Sequence, residues 1–438
     1  MGEFPGDAER RYSFIERQEH HTLNITMPEA FEFSTRIIDE YAGLFHSAMF
    51  NIGADETFDL GKGASKQQAL KSGVSNMYAD YVSRLCEHIT RHGGRPMFWG
   101  DIAISMPEIL DRLPENGILL NWQYSPEVNE DTIKIVADHG VQQYVCSAIH
   151  DWNNLLPDYE AAWKNITRMD EFGLRHGAIG AMVTDWGDYG NVNDPRMSVP
   201  GMIYGSQYSW NPHGPGFDEM NRRISRLEYG DMSGEYVDTL VQAGNETRFS
   251  WADMVTYREL DDGNGGLNDD VSRMLEATFG QDRWNADGIT TVAEARERYL
   301  KTKSESLRDS GGCDERLAQL AEKLGTILSR ATHANDAFNS AQAQLIAIAG
   351  QRLFNELGDA LAVNGRKIEE TSRSSGLGNA GYALASRIEE WFETYRSVWR
   401  QVSRESELRR IADVIWDYAD MLRRSADSQE HHNDGLRP

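Results

Sequence analysis

Five apolar runs punctuate the first half of the chain: Met49 to Ala54, Met97 to Trp99, Gly117 to Trp122, Gln143 to Ala148 and Ala178 to Trp186. They are too continuous for strands with one wet face and predict parallel strands covered on both faces. Helical stretches lie between them. Pro28 to Ser47 reads as a helix, with Pro28 at its start behind Thr26 as cap. Ser65 to His92 carries Met77, Tyr81 and Leu85 near helical spacing and stops at Gly93-Gly94. From about Phe217 the strand signal fades. Charged segments rich in Ala and Leu, Asp314 to Phe354 and Ala383 to Arg424, predict an all-helical region. A loop is expected at Asp261 to Asp270, and a turn between long antiparallel helices at Ser374 to Gly381. The tail from Ser425, with His431-His432, reads as polar and frayed.

Strands alternating with helical crossovers imply an α/β layer or barrel. The division that follows is 1–215 as an α/β catalytic portion, 216–425 as an α-helical domain and 426–438 as a disordered tail. With 438 residues the chain has room for such cores. A net charge of −25 leaves no basic face to attract nucleic acid or an anionic membrane. Hydrophobics at 40% and aromatics at 10% set the chain apart from acidic disordered sequences. The three cysteines, Cys86, Cys146 and Cys313, are widely spaced and form neither a disulfide framework nor a zinc motif. No run is long enough to span a bilayer, and the opening residues lack the parts of a secretory signal, so the expected location is cytoplasmic.

Polar and aromatic residues gather at the C-terminal ends of the apolar runs, where parallel α/β enzymes keep their active sites. Asp55-Glu56, Trp99 with Asp101, Trp122 with Tyr124, and Trp186 with Asp188 all stand at such ends. An Asp-Glu pair alone is more often a solvated loop pair or a helix cap. In a pocket, one member can stay ionised while the other, raised in pKa, donates a proton near neutrality. The Trp distribution adds weight, because six of eleven lie between positions 99 and 210. Indole faces stack on pyranose rings while carboxylates accept from sugar hydroxyls, so Trp99, Trp122, Trp152 and Trp186 beside Asp101 and Asp188 point to a sugar pocket.

The segment Phe50-Asn51-Ile52-Gly53-Ala54-Asp55-Glu56-Thr57-Phe58-Asp59-Leu60-Gly61-Lys62-Gly63 resembles the active-site signature of glycoside hydrolase family 20, the β-N-acetylhexosaminidases. The resemblance continues through Phe98-Trp99-Gly100-Asp101, Asn121-Trp122, Tyr144-Val145-Cys146 with Trp152, and Thr184-Asp185-Trp186-Gly187-Asp188. Ile224 to Ser233 and Trp391 to Arg424 are similar to the helical domain that follows the barrel in an intracellular-type bacterial branch.

The resemblance implies a (β/α)8 TIM-barrel-like domain and a retaining mechanism in which the substrate's own acetamido oxygen attacks. It assigns orientation of the acetamido group to Asp55 and acid-base work to Glu56. Trp99, Trp122 and Trp186 become pocket walls, Asp101 a polar residue of the acetamido pocket, and Asp188 a ligand for outer hydroxyls. Tyr144 is a candidate to hold the acetamido oxygen, with Trp152 shaping the same side. The implied partners are N-acetylhexosamine-containing oligosaccharides or glycoconjugates, with no metal or organic cofactor.

The spacing departs from the family at the front. The family's Asp-Glu pair closes the fourth strand, yet only about 48 residues precede Met49, too few for three βα units of roughly thirty residues each. The expected barrel is therefore N-terminally incomplete, with about five strands. Its uncovered edge favours association, a homodimer being the state the family suggests. The competing expectation is a truncated, non-catalytic chain that at most binds amino sugars or needs a complementary chain.

Overall fold

The computed structural model describes residues 1–4, 21–260, 275–276, 289, 291–332, 334–369, 377–406 and 408–434. It divides into two compact units. The first comprises Met1–Ala148, Ala161–Thr184 and Tyr204–Gly214, and the second Ile149–Glu160, Asp185–Ile203 and Pro215–Pro438.

The first unit is built on a parallel sheet whose strands lie side by side in chain order: β1 (Met49–Asn51), β2 (Arg95–Trp99), β3 (Ile118–Trp122), β4 (Gln142–Ala148) and β5 (Gly180–Thr184). Sequential order with a helical return after each strand is the wall of a partial (β/α) barrel. Its helices are α1 (Pro28–Ala42), α2 (Lys66–Ser72), α3 (Val74–Arg91), α4 (Asp101–Ser105) and α5 (Asp131–Asp138), with α6 (Tyr159–Arg175) from Ala161 and α7 (Val199–Trp210) from Tyr204.

Alternation along the strands sorts the side chains onto two faces. Phe98 and Leu119 pack with Tyr78, Val82 and Cys86 of α3, while Val145 packs with Ile133 and Met169. On the other face Met97, Ile118, Leu120 and Cys146 form an apolar floor that carries Trp99, Trp122, Tyr144 and Met182.

Coverage is less even than the continuous apolar runs suggest. β3 is buried almost throughout, β5 is mostly half-buried, and Met49 and Asn51 of β1 are exposed. Among the described residues β1 and β5 each pair on one side only, so their outer rims lack the cover of central strands.

Local chemistry also shifts several helix boundaries. The stretch from Ser65 breaks into α2 and α3 because Gly73 adopts φ 80°, outside helical space. α1 stops at Gly43 rather than Ser47. Thr26 does not cap it: the N-cap is Met27 without a side-chain bond, and Asn24 Oδ1 takes both the amide and the hydroxyl of Thr26.

The second unit is helical: α8 (Phe217–Leu227), α9 (Tyr236–Gly244), α10 (Trp251–Glu259), α11 (Val292–Thr302), α12 (Ser310–Leu328), α13 (Ala334–Glu369), α14 (Leu377–Trp399) and α15 (Leu408–Asp434). Reciprocal side-chain and backbone bonds cap two of them, Ser250 with Asp253 and Thr291 with Glu294. α14 and α15 run antiparallel, with Gly381 against Leu422 and Ala426, and Glu389 paired with Arg423 at 2.6 Å.

Several buried aromatics here have polar partners. Trp251 Nε1 donates to Tyr189 O at 2.6 Å, Tyr395 to Val192 O at 2.7 Å and Tyr418 to Met254 O at 2.6 Å. The expected loop at Asp261 to Asp270 lies outside the described residues, as do 374–376 of the expected turn; 377–381 are helical. α15 continues to Asp434 through the segment expected as a tail, while the side chains of His431 and His432 lie outside the described residues.

Candidate active site

β1 ends in a turn that the backbone would not adopt unaided. Asn51 Oδ1 accepts from Gly53 N at 2.9 Å, and φ is 76° at Gly53, 78° at Ala54 and 47° at Glu56. A left-handed conformation costs a residue with a Cβ about 1–2 kcal/mol, so two such residues together need external restraint. That restraint comes from neighbouring elements. Tyr78 of α3 donates its hydroxyl to Ala54 O at 2.8 Å, Trp99 N donates to Gly53 O at 2.9 Å, and Glu56 N donates to Asp101 Oδ2 at 2.9 Å. The result holds Asp55 and Glu56 half-buried at the C-terminal end of β1.

The following loop is anchored from the N-terminal segment. Glu3 accepts from Ala64 N through its carbonyl at 2.8 Å and from Ser65 N through its carboxylate at 3.0 Å. A Cβ on Gly63 would stand 2.3 Å from the Glu3 carbonyl oxygen, which accounts for the last glycine of the signature.

Asp101 joins two of the expected positions. Its second oxygen accepts from Trp122 Nε1 at 3.3 Å, so one carboxylate fixes both the Glu56 backbone and the Trp122 indole. Burial pushes the Asp101 carboxyl above its ordinary range, the two N–H donors pull it back, and the Asp55 charge adds to the rise. Trp122 stacks on Tyr124 with ring centroids 5.1 Å apart. The Tyr144 ring lies over Gly180, where a Cβ would come within 2.6 Å of it, and its hydroxyl reaches Met49 Sδ at 3.7 Å. The first unit thus unites Asp55, Glu56, Trp99, Asp101, Trp122 and Tyr144 on one face and rim of the sheet.

Trp152, Trp186 and Asp188 belong to the second unit, in the segments after β4 and β5. Sequence reasoning missed what ties these segments together. Ser198 Oγ lies 2.8 Å from Asp151 Oδ2 and 2.6 Å from Asp185 Oδ2. A hydroxyl has one proton, so it can donate to one carboxylate only, and the second contact requires a proton on the carboxyl pair. Burial of Asp151, reinforced by the neighbouring Asp185 charge, raises its pKa strongly and keeps that proton in place. Asn153 Oδ1 accepts from Tyr189 N at 2.9 Å. The Asn153 side chain also bonds Asp188, whose carboxyl is raised by desolvation in spite of that bond. Left-handed φ values at His150, Asn153 and Asn191 mark the same segments. The adjacency of Asp151 to Trp152 and of Asp185 to Trp186 was the available signal, but pairing them needs the fold.

Residues 5–170 match the model of the glycosyl hydrolase family 20 catalytic domain, a span that includes Asp55 to Trp152 and stops short of Trp186 and Asp188. Lacto-N-biosidase of Bifidobacterium bifidum is 22% identical over 258 residues, covering 52% of this chain and 22% of the relative. The chain thus spans about a fifth of that relative's length. Two solved structures are similar. A β-N-acetylhexosaminidase from Bacteroides fragilis has 15% identity and a TM-score of 0.35, over 47% of this chain and 45% of that one. The chitobiase of Flavobacterium johnsoniae has 12% identity and a TM-score of 0.37, over 88% and 60%. Over residues 5–170, the chain is thus similar to the catalytic domain of glycosyl hydrolase family 20.

Proposed function

We propose that the protein is a retaining glycoside hydrolase that removes terminal β-linked N-acetylglucosamine or N-acetylgalactosamine from oligosaccharides or glycoconjugates. The observation that carries this reading is the restrained Asp55-Glu56 turn, latched by Asp101 beside the Trp99 and Trp122 face. In the proposed reaction the acetamido oxygen of the substrate bonds to the anomeric carbon as the glycosidic bond breaks, and Glu56 gives its proton to the leaving oxygen. Asp55 orients the acetamido group and offsets the positive charge of the oxazolinium. Water then attacks the anomeric carbon, Glu56 takes its proton, and the acetamido group is restored.

Trp99 and Trp122 offer stacking surface for the sugar, and the fixed indole of Trp122 keeps that surface ordered. The family pattern assigns further sugar contacts to Trp152, Trp186 and Asp188. Release of the chromophore from an aryl N-acetyl-β-glucosaminide tests the proposal. Glu56→Gln is expected to lower the rate by about 10²–10⁴-fold without loss of folding, the range typical of a positioned acid-base group. No release by the unaltered chain, or equal release by the variant, rules the mechanism out for this protein.

A further inference from the structure

α1 and α3 meet through a small apolar cluster in which Ile38 packs with Tyr81, Leu85 and Ile89, flanked by Phe31. Tyr81 fixes the register of the two helices, donating to Ala30 O at 2.9 Å with Ser34 Oγ also 2.9 Å from its hydroxyl. Asp39 follows Ile38, and His88 precedes Ile89, so this packing brings the two polar side chains together. His88 Nε2 lies 2.6 Å from Asp39 Oδ1. One turn later, at the C-cap of the same helix, the His92 ring stands beside that of His88 with centroids 4.5 Å apart. His92 Nδ1 is 2.8 Å from the His88 carbonyl oxygen. A carbonyl only accepts, so Nδ1 carries the proton, and the lone pair of the neutral ring sits on Nε2.

One ligand atom from each of Asp39, His88 and His92 lies within 4.8 Å of the others. Donors around a tetrahedral zinc ion, bound at about 2.0–2.1 Å, stand roughly 3.3 Å apart, so modest side-chain rotation closes the set. Asp39 and His92 are exposed and His88 is half-buried, which leaves the donors open to a cation from solvent.

We propose that Asp39, His88 and His92 form a site for a divalent transition-metal cation, zinc in particular, that clamps α1 to α3. Two imidazoles and a carboxylate supply three ligands and leave a fourth position for water. Imidazole donors favour such ions over calcium or magnesium, which take oxygen. The bond from His92 Nδ1 to the His88 carbonyl is the outer-sphere contact that orients a ligating ring. The helices are already packed underneath, so binding orders only three side chains. None of the three residues belongs to the Asp55-Glu56 turn, and the site is structural in role.

The test is calorimetric titration of the chelator-treated full chain with zinc alone, with calcium as control, together with thermal unfolding in each ion. Zinc is expected to bind and to raise the unfolding temperature. His92→Ala and Asp39→Asn, both at exposed positions, are expected to weaken binding at least tenfold and to abolish the rise, while circular dichroism reports an intact fold. The absence of zinc binding, or an affinity and temperature shift unchanged in both variants, overturns the proposal and leaves an ordinary His88–Asp39 pair.

Discussion

Two groups of carboxyls stand just past strand ends; burial raises the pKa in both, and the groups that face them oppose the rise in one and reinforce it in the other. In the first unit Asp101 meets two fixed N–H donors, the Glu56 amide and the Trp122 indole, and both favour the ionised form. In the second unit Asp151 and Asp185 share the single hydroxyl of Ser198, and among the described residues Asp151 Oδ1 has no hydrogen-bond partner. Asp151 is wholly buried whereas Asp101 is half-buried. The difference teaches that the groups a carboxyl meets, rather than its place after a strand, decide how far burial raises it: two N–H donors oppose the rise at Asp101, whereas a second carboxyl reinforces it at Asp151. A carboxylate that accepts from two N–H groups on different segments can latch the Asp55-Glu56 turn in shape. A proton-holding link joins two segments and makes them sensitive to pH.

Breaking the latch should have the largest effect. Asp101→Ala leaves the Glu56 amide and the Trp122 indole without their shared acceptor, and a displacement of about 1 Å at a reacting group costs up to ~10²-fold in rate. A fall of about 10–100-fold in aryl glycoside hydrolysis is expected, with a stability loss of about 1–3 kcal/mol in urea titration. Loss of stability with full activity would show that the latch is structural only.

The proton-holding link should be visible in pH dependence. The folded protein keeps a proton on Asp151 that the unfolded chain releases in the ordinary carboxylate range, near pH 4. Its contribution is therefore fully present below that range and is lost as pH rises through the raised pKa. Asp170, raised by burial to about 7, acts with the same sign, so the informative quantity is the difference between two profiles. Asp151→Asn, which resembles the protonated form, should flatten the fall of unfolding temperature with pH relative to the unaltered chain. Parallel profiles would refute the shared proton.

Smaller effects sharpen the picture of the turn. Tyr78→Phe removes the donor to Ala54 O and should cost about 1 kcal/mol by denaturant unfolding, with a modest drop in rate. Ala54→Gly relieves the left-handed strain but loosens the unfolded chain, so stability should rise by at most a few tenths of a kcal/mol. If activity nevertheless falls, the stiffness of Ala54 contributes to the placing of Asp55.

The strands were legible because each is a short apolar run closed by a polar or aromatic residue, as in Gly117 to Trp122, whose observed strand is Ile118–Trp122. Gly73 was visible as a residue type, yet its break at φ 80° was overridden in the reading by the helical spacing of Met77, Tyr81 and Leu85. Thr26 looked like a cap because its competitor, Asn24, acts through a side-chain bond that no periodicity registers. Asp55-Glu56 stood out by position and by family pattern. The latch did not, because Asp101 and Glu56 are 45 residues apart in the chain.

By itself, then, the sequence determined the element order, the parallel strands, the helical second half and the candidate acid pair, since these follow from local periodicity and short motifs. Only the tertiary structure decided which carboxyl bonds which donor: Asp101 to Glu56 and Trp122, Ser198 between Asp151 and Asp185, and Asp39 beside His88. The physical reason is range. Backbone preference and hydrophobic spacing act over a few residues, whereas protonation and hydrogen bonding depend on neighbours that chain folding brings from tens of residues away.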